Sequence, residues 1–322
     1  MNSRIKIFVS NRLDVNSVQI PNDIFYPVNC GAVFGDGSSN IQGDNTGDNI
    51  SNMRDKLGEF TVQYWAWKNI NLDYYGLCHY RRYLSFSGHV YKHASYRQMC
   101  QEAFLEKKSI SKYGLDDVDK MRKIIYQYDI IVNESVDIRH IYTPCGIKHT
   151  VYEHWKAHDG IFINKDVLPI FLETIKILFP EYYQSACDYF NGYMHRGYNC
   201  YVMRKDIFQQ LCRFQFGVIF ALQNNKIILD APKRTLGYLG EMMYGIYVHH
   251  LQNNSGYRIR ELPLIYFEQT ELPKNKLSYY CQKMLYLCRF SSESVGLKLL
   301  PMGSYRRNLT KSIYYWMKNK CN

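Results

Sequence analysis

Five short apolar runs, each separated from the next by a segment with a helical repeat, constrain this chain most. Ile5, Ile7 and Val9 alternate in the first run, the period-2 pattern of a strand. The others are "YYGLCHY" from Tyr74, "DIIVNE" from Asp129, "YNCYVMR" from Tyr198 and "YRIRELPLIYF" from Tyr257. Between the first two, Ile50, Met53, Leu57, Phe60, Tyr64 and Trp67 recur every three or four residues. That spacing predicts one helix with a single apolar face, capped by Asp48 or Ser51. Helices are also expected over "LDDVDKMRKIIYQY", "DVLPIFLETIKIL", "EYYQSACDYF", "KDIFQQLCRFQFGVIFAL" and "GYLGEMMYGIYVHHL". Residues 85–114 read as irregular and basic, with room for short helices. Strands alternating with helices predict an α/β sheet covered on both faces.

Charge narrows the partners. The chain carries a net charge of +11, which favours nucleic acid, an anionic membrane surface or a phosphorylated substrate. No RNP, KH or helix-turn-helix pattern is present and the cations are dispersed, so no nucleic acid is expected. The 30 tyrosines suit sugars and nucleotides, although an AT-rich coding sequence would raise the same count. The ten cysteines include no C-x-x-C pair, which argues against zinc and thioredoxin-like chemistry and for a reducing cytoplasm. No signal peptide or spanning helix is expected. His154 and His158 share a helical face, but no third ligand is evident, so a single base or a hydrogen-bond donor to a sugar is expected there in place of a metal.

After residue 275 the character changes. The last segment, "SYRRNLTKSIYYWMKNKCN", has five Lys or Arg and no acid, with Tyr314, Tyr315 and Trp316 among them. Residues 1–275 are read as the main domain and 276–322 as a basic, aromatic extension. It suits the anionic inner face of a cell membrane, or packing of its aromatics on the domain.

Ligands of open α/β sheets bind beyond the carboxyl ends of the strands. There the first strand runs into Ser10-Asn11-Arg12 and the second into His79-Tyr80-Arg81-Arg82. Paired guanidinium forks match phosphate oxygens, so a nucleoside diphosphate is expected, unless an arginine pairs with Asp73 or Glu59. "GDNTGDNIS" precedes the predicted helix. Asp44 and Asp48 there could hold a ribose or sugar hydroxyl, or form only a polar turn.

"GDNTGDNIS", "GEFTVQYWAWKN" and "YYGLCHYRRYL" resemble the signature of a bacterial family of capsular and lipopolysaccharide glycosyltransferases, long catalogued as a domain of unknown function. The likeness continues through "YDIIVN", "VYEHWKAH", "YNCYVMRKDIF" and "RTLGYLGEMM", over roughly residues 4–267. It implies a GT-A-like mixed sheet flanked by helices and transfer of a hexose, galactose or galactofuranose, from a UDP-sugar. The acceptor would be a lipid-linked or growing surface polysaccharide. Such enzymes usually carry a D-x-D motif that holds a divalent metal. Here His79-Tyr80-Arg81 stands in its place, so His79, Arg81 and Arg82 are expected to hold the diphosphate with no metal required. Ser10, Asn11, Asp44, Asp48 and Asn49 would line the nucleoside, and Asn199, Tyr80 and Tyr238 the sugar. Glu241, expected to open a helix after "GYLG", would be the base of an inverting displacement, with His158 the second candidate. Cys200, Tyr201 and "FQFGVIF" depart from the family pattern and bear on the acceptor. A non-catalytic sugar- or nucleotide-binding protein on the same fold is the alternative.

Overall fold

The computed structural model describes residues 4–91, 93, 99–254, 256–300 and 304–320, with backbone alone for 290–298 and 318–320. Its strands are β1 (Ile5–Asn11), β2 (Phe25–Asn29), β3 (Gln42–Gly43), β4 (Tyr74–His79), β5 (Arg82–Leu84) and β6 (Cys100–Phe104). They continue with β7 (Ile130–Asn133), β8 (Val136–Asp137), β9 (Met194–His195), β10 (Tyr201–Arg204), β11 (Ile259–Leu262) and β12 (Leu264–Gln269). The main sheet runs in the order β11-β7-β10-β4-β1-β2-β3, with β5, β12 and β6 continuing from β4. β8 and β9 form a separate ribbon.

The sheet is mixed. β1 lies parallel to β2 and β4, and β7 parallel to β11, while β10 runs antiparallel between β4 and β7. Alternation along each strand feeds two cores, as the pleat requires. Phe8, Tyr75, Leu77, Tyr201 and Met203 face one, packed against the helices Phe60–Asn69, Lys205–Leu222 and Thr235–Asn254. Ile5, Ile7, Val9, Cys78, Cys200 and Val202 face the other, against Met121 and Ile125 of the helix Val118–Gln127. This topology brings the carboxyl ends of β1, β2, β4, β7 and β11 and the start of β10 to one edge.

Three expectations need correction. The predicted helix through Ile50 and Trp67 is broken into a 3-10 turn, Ser51–Met53, a short helix, Arg54–Leu57, and the helix Phe60–Asn69. Gly58 makes the break: its φ is +59°, and a Cβ there would stand 2.5 Å from the Arg234 guanidinium. Neither Asp48 nor Ser51 caps the longer helix. The final apolar run divides at Pro263 into β11 and β12, because proline donates nothing to a ladder. The run from Tyr198 becomes strand only at Tyr201, since Tyr198 and Asn199 have φ of 73° and 42°.

The region expected to be irregular with short helices contains the helix Lys107–Lys112 and also the strand β6, which was not expected; residues 92 and 94–98 lie outside the described part. Two helices, Lys276–Leu299 and Tyr305–Lys320, form the C-terminal extension. Tyr279 stacks on Phe104 at 4.8 Å and Arg289 pairs with Glu268 at 2.8 Å, which docks the first helix beside β6 and β12. Among the described residues no helix is long and apolar enough to cross a membrane.

Candidate active site

A cleft of about 380 Å³ opens on the edge where the strand ends gather. Arg81 and Arg82 leave the β4–β5 hairpin to form one wall. Tyr238 and Glu241 come from the helix Thr235–Asn254, and His154 and Trp155 from the helix Val151–Lys156. His158, Phe162, His195, Gly197, Tyr198 and Tyr266 complete the lining that concerns the chemistry.

The two arginines are held by rings instead of acids. The Arg81 guanidinium lies 5.2 Å from the Tyr80 ring and 5.5 Å from that of Tyr266, and Arg82 lies 4.9 Å from the Tyr198 ring. Such cation–π contacts orient a guanidinium without neutralising it. Among the described residues neither arginine has a carboxylate within ion-pair distance, and the buried Arg81 Nε has no hydrogen-bond partner. The two acids that might have paired with them are engaged elsewhere. Asp73 accepts from the Arg4 backbone N–H at 2.7 Å, and Glu59 pairs with Arg234 at 3.4 Å. His79 is paired with Ser10 across the sheet. Burial, then the charges of Arg82 and Arg81, push its imidazole well below the usual histidine range, so it stays neutral beside the arginines.

Glu241 is recessed in the cleft. Its Oε2 accepts the Tyr198 backbone N–H at 3.1 Å. Burial and then the neighbouring Glu59 carboxylate raise its pKa, opposed by Arg82, the Tyr198 N–H and Arg234. The expectation that Glu241 opens a helix is wrong: the helix begins at Thr235, and "GYLG" lies inside it. The reason is packing. A Cβ on Gly240 would stand 2.4 Å from the Phe60 ring, so the glycine lets two helices approach and makes no turn. Two turns into the helix, Glu241 is beyond the reach of the dipole at the helix N-terminus.

Opposite the arginines, rings form a continuous box. His154 and His158 lie 4.8 Å apart, Trp155 lies 5.5 Å from His195 and 5.7 Å from Tyr238, and Phe162 lies 5.0 Å from His158 and 4.9 Å from Tyr238. Burial lowers the pKa of His154 to about 3 and of His195 to about 4, and lowers that of His158 as well. All three imidazoles are neutral at physiological pH.

Sequence reasoning thus brings Arg81, Arg82, Tyr238, Glu241 and His158 into one cleft, with His79 behind the arginines. Asn199 adjoins it through Tyr198. It is buried, and among the described residues neither its Oδ1 nor its Nδ2 has a partner. Ser10 and Asn11 are buried at the end of β1, and Asn11 Oδ1 is also unpartnered. Other assignments are corrected. Asp44 is fully buried, and its carboxylate accepts from Gly31 N–H, Ala32 N–H, Ser51 Oγ and Thr61 Oγ1 at 2.5–2.9 Å. It ties a loop to the fold and has no capacity left for a nucleoside. Asp48 accepts from the Tyr64 hydroxyl at 3.1 Å, and Asn49 donates to the Gly47 carbonyl and accepts from Ser51 N–H. Asp48 thereby ties the loop to the helix Phe60–Asn69, while the Asn49 bonds stay within the loop. Tyr80 is buried in the second core, where its ring lies 5.2 Å from the Arg81 guanidinium, and it is not among the residues that line the cleft.

Trp155, His195 and Tyr198 escaped the sequence reading, whereas His154 was singled out there beside His158. Around "HRGYN", His195–Asn199, the structure gives Tyr198 and Asn199 positive φ, a strained geometry that clusters at functional sites.

The model of a family described as a domain of unknown function (DUF4422) matches residues 6–254, and the chain belongs to that family. Among solved structures the chain is similar to the apo structure of WbbM, a bifunctional glycosyltransferase, with a TM-score of 0.72 and 24% identity. The match covers 85% of this chain and 48% of the other, so this chain spans about half the length of that one. No curated protein matches by sequence.

Proposed function

We propose that this family member is a GT-A-like glycosyltransferase. It moves a hexose, with galactofuranose or galactose favoured, from a UDP-sugar to a lipid-linked or growing surface-polysaccharide acceptor. The observation that carries this reading is the pair Arg81 and Arg82, oriented by rings, without an acidic partner among the described residues, and facing Glu241 across one cleft. The similarity in fold to a glycosyltransferase supports it.

In this reading the arginines hold the diphosphate and stabilise the charge that develops as it leaves. Neutral His79 adds no repulsion and can share a hydrogen bond. The guanidinium charges do the work a divalent ion does elsewhere, so no metal is essential. Ser10 and Asn11 mark the nucleoside end of the edge, and Asn199 positions the sugar. Glu241 takes the proton of the attacking acceptor hydroxyl as that oxygen joins the anomeric carbon and the UDP oxygen departs, which inverts the anomeric centre. A raised carboxylate pKa suits a base that works near neutral pH. His158 is the second candidate. Its Nδ1 faces the His154 carbonyl at 2.8 Å, so Nδ1 carries the proton and Nε2 keeps a lone pair.

The extension would hold the enzyme at the cytoplasmic face of an anionic membrane, near a lipid-linked acceptor. Leu277, Tyr280, Met284 and Leu287 are exposed in one stripe, and Leu309, Ile313 and Trp316 in another. Tyr280, Met284 and Trp316 share a nearly wholly apolar groove of about 500 Å³. Apolar stripes beside lysines and arginines favour an anionic lipid surface.

Release of UDP from a panel of UDP-hexoses, with and without acceptor glycans, tests the activity. UDP release in EDTA is expected for at least one donor. Activity that vanishes in EDTA and returns with manganese would refute the metal-free step, and no release from any donor would favour a binding protein.

A further inference from the structure

The cleft is chemically divided. Arg81 and Arg82 stand on one side, Glu241 between, and on the other a box of six rings that carries no charge and that the phosphate chemistry leaves unused. We propose that the box of His154, Trp155, His158, Phe162, His195 and Tyr238 is a subsite for one uncharged, hydroxyl-bearing sugar ring. This deepens the transferase reading and rests on it.

The hydrogen-bond senses within the box carry the argument. Tyr189 accepts the Arg196 backbone N–H at 3.1 Å, and its hydroxyl is 2.6 Å from His195 Nδ1. That buried hydroxyl must place its own hydrogen, and Nδ1 is where it goes. His195 Nδ1 is then the acceptor, and Nε2 carries the ring proton as a donor. His158 has the opposite sense, with Nδ1 donating to the His154 carbonyl and Nε2 left as an acceptor. The Trp155 Nε1 and His154 Nδ1 atoms are buried without partners among the described residues, an unfavourable arrangement that a hydroxyl-bearing ligand would relieve.

A neutral donor and a neutral acceptor framed by ring faces match a sugar, whose hydroxyls both give and take hydrogen bonds and whose C–H faces stack on aromatics. An anion would find no cation among these six residues. His195 also links the box to the chemistry, because a Cβ added at Gly197 would lie 3.0 Å from His195 Nε2 and 3.2 Å from Glu241 Oε2. A ring seated in the box therefore has a hydroxyl or its anomeric carbon beside the carboxylate. The same chemistry could come from the sugar of the donor or from the terminal sugar of the acceptor.

Saturation-transfer NMR on the full chain tests this with methyl galactopyranoside, methyl galactofuranoside and methyl glucoside at millimolar concentration, and with UDP and UDP-galactose. Transfer to ring protons of at least one glycoside is expected. Binding should weaken about tenfold in Tyr238→Ala, which removes a stacking face, and in Trp155→Phe, which keeps an aromatic face and removes the N–H. UDP affinity should be unchanged in both. If UDP-galactose displaces the glycoside, the donor sugar occupies the box; if both bind together, the acceptor sugar does. Absence of transfer to every glycoside, equal transfer in the variants, or loss of transfer to the uracil protons of UDP in Tyr238→Ala would overturn the subsite. Intact UDP binding with no glycoside contact would defeat the subsite and leave the nucleotide reading standing. Glycoside contact without UDP binding would do the reverse.

Discussion

At the scale of single residues, Glu241 makes the sharpest claims. Its pKa lies above the ordinary value of 4.5, raised by burial and by Glu59. A base must be ionised to act, so turnover should fall as pH drops through that raised value. Glu241→Gln should lower turnover by ~10²–10⁴-fold and keep donor affinity. Linkage adds an independent sign. A carboxyl whose folded pKa is raised favours the fold at low pH and loses that contribution as pH rises through the folded value. Thermal melts should therefore show Glu241→Gln gaining stability over wild type as pH rises, and a variant that is uniformly less stable would make Glu241 structural. Gly197→Ala probes the same spot from the backbone. Its φ is not in the left-handed region, but the added methyl would meet His195 and Glu241. A folded protein with much reduced turnover is expected, and wild-type kinetics would show that nothing reacts there.

At the scale of elements, periodicity told most of the story. The alternation of Ile5, Ile7 and Val9 and the spacing through Lys205–Leu222 needed only local physics, and both elements stand where expected. Failures came where a distant side chain decided. Gly58, with positive φ beside Arg234, interrupts the helix expected through Ile50 and Trp67, and Gly240 packs on the Phe60 ring inside a longer helix, so Glu241 does not open one. Neither neighbour is visible locally. The C-terminal helices carry their own prediction. Removing residues 276–322 exposes Phe104 beneath Tyr279, so a modest stability loss of about 1–3 kcal/mol is expected from one uncovered aromatic. Flotation with anionic vesicles should fall sharply while UDP binding persists. Equal flotation of both forms, or of neither, would remove the membrane role.

At the scale of the whole molecule, the mixed sheet explains why residues far apart in sequence meet. Parallel β1 and β4 end together, and antiparallel β10 starts at the same edge. Arg81 and Arg82 were legible because they follow a strand end and His158 because it carries a titratable ring, whereas Tyr238 and Glu241 came from the family resemblance and lie inside a helix. Asp44 misled because a buried, fully bonded aspartate and a ligand-binding one look alike in sequence. His195 and Trp155 were missed because their roles depend on a box assembled from separate elements. Arg81 and Arg82, which have no acidic partner among the described residues, are proposed to form the diphosphate site. Calorimetric titration of UDP into the full chain, its Arg81→Ala and Arg82→Ala variants and the double variant, all in EDTA, tests it most directly. Wild type should bind, each single variant should lose on the order of 2–4 kcal/mol, and the double variant should show no measurable heat. Equal UDP affinity in wild type and double variant, or binding by wild type only when a divalent metal is added, would contradict the account.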